Sequence, residues 1–198
     1  MPQIDGDTLQ GLQKMTDRQL IEAYAGGNDF QAFGLFVGRH EGALLSFAAA
    51  FLRDETLAQD VVQETFFRAA RYPQRLLRSE NEGPSQRNWL LKVVRDIGVD
   101  NLRRRSSERK VLDELSARAP TSAPAADVIA ENREELGEVN AAIDRLRPKL
   151  RELLLLKVRE KKSYKEIAQI TGLTVTNVGF LLHQAMQQLS EGLGRRGS

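Results

Sequence analysis

Ser163-Tyr164-Lys165-Glu166-Ile167-Ala168-Gln169-Ile170-Thr171-Gly172-Leu173-Thr174-Val175-Thr176-Asn177-Val178 is the stretch on which the fold turns. Ser163 and Glu166 have the spacing of a capping box, in which each side chain satisfies an exposed amide of the other. Ile167, Ala168 and Ile170 then share one face of a short helix. Gly172 follows, the residue type that best tolerates the left-handed backbone at a helix stop. Thr174 is placed to cap a longer helix whose buried stripe is Val178, Leu181, Leu182, Ala185 and Leu189. Helix, glycine turn, helix is the helix-turn-helix arrangement. In DNA-binding proteins its first helix crosses the backbone and its second enters the major groove. By pattern alone, the same residues also fit a helical hairpin that only packs.

The exposed positions of the second helix carry Thr174, Thr176, Asn177, Gly179, Phe180, His183 and Gln184, and no Lys or Arg occurs from 174 to 192. Such side chains suit base edges better than phosphates. The basic residues lie one helix earlier, at Arg145, Arg147, Lys149, Arg151, Lys157, Arg159, Lys161, Lys162 and Lys165. They read either as phosphate contacts or as a solvated surface.

Working toward the N-terminus, almost every periodic stretch is helical. Pro148 suits the first turn of a helix through Leu150, Leu153, Leu154 and Val158, and Leu136, Val139, Ile143 and Leu146 mark another before it. The segment 117–127 is rich in Ala, Pro, Ser and Thr, the composition of a linker. Trp89, Leu90, Val93, Val94, Ile97 and Leu102 mark a strong helix. The stretch 72–85, with two prolines, a glycine and mixed charge, reads as a loop. Asp54 can cap a helix carrying Leu57, Val61, Thr65, Phe66 and Ala69, and Thr16 with Gln19 forms another capping box. No segment alternates as a strand would. The expected fold is all-α: two small helical domains joined by a flexible linker. The boundaries read as a tail at 1–15, a first domain at 16–105, a linker at 106–133, a second domain at 134–193 and a tail at 194–198.

Composition narrows the function. The 198 residues carry 29 Lys and Arg against 27 Asp and Glu, a net charge of +2, so the placement of charge matters more than its sum. The absence of cysteine excludes disulfides, thiolate zinc sites and cysteine nucleophiles. His40 and His183 are far apart in sequence, and no phosphate loop, catalytic triad or metal-ligand constellation accompanies them. Neither an enzyme, a cofactor nor a metal is expected. The N-terminus lacks the pattern of a signal peptide, and the longest nearly apolar run, 44–52, is too short to cross a bilayer. A cytoplasmic protein without membrane insertion is expected.

Two features of the first domain stand out. Asp60 and Glu64, four residues apart, share a helix face that is either solvated or a dock for a basic partner helix. Further on, a helix ends in Arg103-Arg104-Arg105, a phosphate-binding edge that also suits a helix C-terminus. Trp89 at the start of that helix reads as core, with Arg87 and Asn88 freer to touch a base.

Taken in order, these motifs resemble the extracytoplasmic-function (ECF) sigma factors of the sigma-70 family. Asp60-Val61-Val62-Gln63-Glu64-Thr65-Phe66 is similar to region 2.2, Trp89-Leu90 with Asp100 and Arg103-Arg104 to regions 2.3 and 2.4, and Leu146-Arg147-Pro148 through Ala185 to region 4. The resemblance implies a promoter-recognition subunit with no active site of its own. It assigns core RNA polymerase binding to Asp60, Gln63, Glu64 and Phe67. It assigns −10 promoter DNA to Arg87, Asn88, Lys92, Arg95, Arg103 and Arg104, and −35 DNA to the exposed residues 174–184 named above. It also implies an anti-sigma factor as a common partner. The chain departs from the family pattern at Leu57 and Gln59, where acidic residues are usual, at Asp96, where asparagine is usual, and in its uncharged recognition helix. These departures keep open a sigma factor that needs an activation step. The other competing reading is a stand-alone helix-turn-helix regulator.

Overall fold

The computed structural model describes residues 11–27, 29–78, 85–116 and 134–194. Among them the chain forms α1 (Asp17–Gly27), α2 (Phe30–Leu52), α3 (Glu55–Arg71), α4 (Pro73–Leu77), α5 (Gln86–Ser116), α6 (Glu134–Arg145), α7 (Pro148–Val158), α8 (Tyr164–Thr171) and α9 (Val175–Gly194), and no strand. The all-α architecture is the one the periodicity predicts.

Helix starts follow the capping chemistry. The Thr16 amide donates to Gln19 Oε1 at 2.8 Å and the Gln19 amide to Thr16 Oγ1 at 3.3 Å. Asp29 accepts from the amides of Gln31 and Ala32, both at 3.0 Å, and Asp54 from that of Leu57 at 2.9 Å. These bonds satisfy donors that have no partner within the helix. Two boundaries differ from the sequence reading. The stretch read as a loop at 72–85 contains α4, because Pro73 at the first helical position lacks only an N–H that would be unpaired anyway. Helix α5 runs past Arg105 to Ser116, into the stretch assigned to the linker by composition. No Gly or Pro interrupts 99–119, and Arg104 pairs with Glu108 one turn on at 3.8 Å. The linker prolines Pro120 and Pro124 lie outside the described residues.

In the first half, α2 packs against α1, α3 and α5. Its buried residues Phe36, Leu44, Phe47 and Phe51 meet Val61, Val62, Leu90, Leu91 and Val94 in one apolar cluster. Helix α2 is long and apolar enough to cross a bilayer by composition, yet eight of its residues are buried in this core. His40 and Arg39 also tie it to Asp17, at 2.8 and 3.0 Å. Gly98 sets the approach of α5 to α2: a Cβ there would lie 2.9 Å from Phe51 Cε1 and 3.0 Å from Leu52 Cδ2. Gly98→Ala gains helix propensity of about 1 kcal/mol. It also forces overpacking against a buried ring, at about 1–3 kcal/mol. A net loss of stability of about 1 kcal/mol is therefore expected in urea unfolding, and a stabilised variant would show that the helices separate freely.

In the second half, α7 is covered on every side: the residues from Leu150 to Leu156 are all buried. Leu150 and Leu154 pack with Ala142, Leu146, Ala185 and Leu189, while Leu153, Leu155 and Leu156 join the cluster of the first half together with Ile167, Ile170, Val178 and Leu182. Accordingly α5 packs on α8 and α2 on α7. The two halves dock on each other.

Candidate polymerase and nucleic-acid interfaces

Helix α3 forms a ridge between two clefts. Its inward face holds Leu57, Val61, Thr65, Phe66 and Ala69 in the core. The 3.6-residue period then leaves Asp60, Gln63, Glu64 and Phe67 exposed. Phe67 is 63% exposed, an apolar ring left largely uncovered by the described residues. On one side lies an apolar cleft of about 710 Å³, whose walls include Tyr24, Phe30, Phe33, Asp60, Gln63 and Phe67. Phe30 is 71% exposed there. On the other side a cleft of about 580 Å³ is lined by Phe67, Arg68, Arg71, Tyr72, Arg75 and Trp89, with Lys92, Val93 and Asp96 along α5.

The second cleft is cationic and aromatic. The Tyr72 ring is flanked by the guanidinium of Arg75, 4.8 Å from its centroid, and that of Arg71 at 5.5 Å. Such contacts hold an exposed ring in place as a stacking surface. Glu64 pairs with Arg68 at 2.7 Å. Asp96 is held between Arg95 at 2.8 Å and Lys92 at 3.7 Å, so its negative charge is offset. Trp89 is half-buried against this cleft rather than enclosed in the core. Of the residues expected on the −10 side, Lys92 lines the cleft, and Arg103 and Arg104 lie exposed along α5.

Arg87, Asn88 and Arg95 face the second half instead. Arg87 donates to Glu160 Oε2 at 2.6 and 3.0 Å, Asn88 to Glu166 Oε1 at 3.1 Å, and Arg95 to Glu152 Oε1 at 2.8 Å. Asn88 is only 2% exposed, so it is not the free base-touching side chain that its neighbourhood in the sequence suggests. The acceptors Glu152 and Glu160 are themselves buried. Glu166 is held down to about pKa 2, first by the Ser163 amide of its capping box, with Asn88 and Lys162 adding to it.

The helix-turn-helix is built as its caps dictate. Gly172 has φ +72°, and Thr174 Oγ1 accepts from the Asn177 amide at 3.2 Å. Val178, Leu182, Ala185 and Leu189 are buried. Thr174, Thr176, Asn177, Phe180 and His183 are exposed, and Gly179 and Gln184 are half-buried. The face of α9 that carries these residues is thus open to solvent. Some of the basic residues before it are buried or bonded within the chain, while Arg145 and Arg147 stay exposed. Arg151 and Lys162 are buried, Lys149 pairs with Glu152 at 3.3 Å, and Arg159 donates to Ser46 O at 3.4 Å.

Among the described residues no group of three or more His, Asp or Glu is placed to hold a metal. What the sequence reading missed is the cluster Arg68, Arg71, Tyr72, Arg75 and Trp89. Arg68 and Arg71 end α3, Trp89 reads as core in the sequence, and only Tyr72 and Arg75 fall in the stretch that reads as a loop.

A helical protein with an open helix-turn-helix, an apolar groove and a separate cationic, aromatic cleft belongs to the class that binds both a protein partner and nucleic acid. The sequence matches Sigma-70 region 2 over residues 36–108 and Sigma-70 region 4 over residues 136–189. It is 30% identical over 185 residues to the RNA polymerase sigma factor CnrH of Cupriavidus metallidurans, covering 88% of this chain and 92% of that protein. It is 26% identical over 195 residues to the ECF RNA polymerase sigma factor SigE of Mycolicibacterium smegmatis, covering 98% of this chain and 74% of that one. Among solved structures, CnrH in complex with the cytosolic domain of CnrY superposes with a TM-score of 0.64 at 28% identity, covering 90% of this chain and 97% of that one. The chain belongs to the sigma-70 family, in its ECF group, and is an RNA polymerase sigma factor. The stand-alone regulator is not favoured.

Proposed function

We propose that the two clefts beside α3 divide the work of the first half. The apolar cleft, lined by Asp60, Gln63 and Phe67, takes a helix of core polymerase, with Glu64 beside it on the same ridge. The cleft of Arg71, Tyr72, Arg75, Trp89 and Lys92 takes unstacked bases of the −10 strand. Its rings stack on bases and its cations meet phosphates, a combination suited to single-stranded DNA. Arg103 and Arg104 extend that cationic track along α5. In the second half, Thr174, Thr176, Asn177, Gly179, Phe180, His183 and Gln184 read the −35 duplex from the major groove. The chain carries out no reaction of its own and works in the cytoplasm. The observation that carries this reading is Phe67, exposed on the ridge between one apolar and one cationic, aromatic cleft.

The docked arrangement is the resting form in this proposal, since Glu152, Glu160 and Glu166 occupy Arg95, Arg87 and Asn88. An anti-sigma factor is the partner expected to hold it, as CnrH is seen with CnrY. The test is transcription from fragmented genomic DNA by core polymerase with the purified chain. Starts sharing two upstream elements are expected, and Tyr72→Ala should abolish them while leaving core binding intact. Unchanged starts with Tyr72→Ala would remove the cleft from −10 recognition.

A further inference from the structure

A third cleft, of about 610 Å³, lies where the two halves meet at the turn between α6 and α7. Its lining includes Arg53 from the end of α2 and Arg145, Arg147 and Arg151 from the second half, with Asp144 as the single carboxylate among the lining residues. Arg53 Nε approaches the Asp144 carboxylate loosely, at 3.9 Å, and its Nη1 donates to the Asp144 carbonyl at 3.4 Å. Among the described residues, Arg145, Arg147 and Arg151 form no ion pair. Four cations therefore face one anion.

Arg151 is the informative residue. It is 6% exposed, and its Nε and Nη1 are buried without a hydrogen-bond partner. Guanidinium donors that are buried are almost always satisfied, and an unpaired buried charge is among the costliest defects in a fold. Burial, and then the repulsion of Arg53, lower its pKa, while Asp144 compensates least. The backbone adds to the picture. Arg53 sits at φ +58°, a conformation ordinarily given to glycine, so a long cationic side chain stands where the backbone favours none. Helix α7 starts at the same place, and its capping residue Arg147 makes no side-chain cap, so the positive end of the helix faces the cleft.

We propose that this cleft binds a small phosphate anion, a diphosphate group in particular, which offsets the buried charge of Arg151 in the cleft wall and joins Arg53 to Arg147 across the two halves. Guanidinium groups recognise phosphate oxygens through paired N–H donors, and several around one cleft suit a multiply charged group. Because its arginines come from both halves, the ligand binds the docked arrangement and stabilises it by linkage.

The test is calorimetric titration and thermal melting of the full chain with inorganic pyrophosphate, against sodium chloride of matched ionic strength. One equivalent of pyrophosphate should bind and raise the melting temperature. Arg151→Met should weaken binding by about tenfold or more, the loss of one charge-assisted contact. Without ligand it should melt no lower than the parent, because it removes an uncompensated buried cation. Arg53→Gly should also weaken binding, and it folds without strain at that φ. A nucleoside diphosphate that binds no better than pyrophosphate identifies the phosphates alone as the ligand, and one that binds much better identifies a nucleotide as its source. The proposal is overturned if pyrophosphate does nothing beyond the salt control, or if parent and both variants respond alike. It is also overturned if duplex DNA, and not pyrophosphate, is the anion whose binding both variants lose.

Discussion

Phe67→Asp should all but abolish assembly with core polymerase while leaving the isolated chain folded. The ring is 63% exposed and belongs to no part of the core, so its replacement should change unfolding free energy by no more than about 0.5 kcal/mol. At an interface the arithmetic is different. An aromatic anchor that fills a partner's pocket is commonly worth about 2–4 kcal/mol, and a carboxylate in its place adds the cost of burying a charge. The combined loss corresponds to a fall in affinity of about a hundredfold or more. Co-elution and anisotropy titration with core polymerase measure it. The charge reversal of Asp60 and Glu64 is the natural companion. Glu64 spends its charge on Arg68, 2.7 Å away, whereas Asp60 has no ion pair among the described residues, so Asp60 should account for more of the loss. Full affinity in Phe67→Asp would move the polymerase contact off this ridge. Because Phe67 also borders the cationic cleft, binding of single-stranded −10 oligonucleotides should be followed in the same variant.

How much of this was legible in the sequence depends on whether the signal was local. Capping residues at Thr16, Asp54, Ser163 and Thr174 were readable because a cap is written in three or four adjacent residues and needs no tertiary partner. Asp60 and Glu64 were readable as one helix face from their spacing, whereas Gln63 and Phe67 entered through the family resemblance. The cationic, aromatic cleft was not, since Tyr72 and Arg75 belong to a short helix that proline and glycine punctuation disguised as loop, and Trp89 reaches them only through the packing of α5. The docking of the halves was hidden for a similar reason. Arg87 and Glu160, 73 residues apart, meet by tertiary contact. One trace of it was present: four consecutive leucines, Leu153 to Leu156, point to all sides of α7 within about one turn, so that turn must be covered on more than one face. Gly98 is a second trace, a glycine inside a strong helix that marks close approach of another element.

The same docking gives the other large expected effect. Glu152→Gln combined with Glu160→Gln should separate the two halves rather than unfold them. Both carboxylates are buried, at 1% and 4% side-chain exposure, and each is bonded to an arginine of α5. Neutralising one partner of a buried pair costs about 3–5 kcal/mol where the other charge is left uncompensated, a condition that Arg87 meets more nearly than Arg95, which keeps Asp96 at 2.8 Å. Here the chain has a way to relieve it. Arg87 and Arg95 regain water if α7 and α8 lift away from α5, and the second half keeps the cluster of Ala142, Leu146, Leu150, Leu154, Ala185 and Leu189. The apolar contact of Leu153, Leu156 and Ile167 with the first half opposes that lifting. The expected shift in the docked-to-open ratio is therefore about a hundredfold, less than two such defects would give. The chain has no cysteine, so Gln13→Cys and Ser190→Cys, both at exposed positions, accept a dye pair whose energy transfer reports the separation directly. Transfer should fall in the double variant, and affinity for single-stranded −10 DNA should rise as Arg87 and Arg95 are released. Acidification is a poorer way to open the junction. The pKa of Glu166 is lowered to about 2, so its contribution is complete above the ordinary carboxyl value of 4.5 and is lost only as pH falls from there toward 2. High energy transfer retained in the double variant would mean that apolar packing alone holds the halves together. A cooperative loss of helix instead of separation would mean that the second half cannot stand without the first.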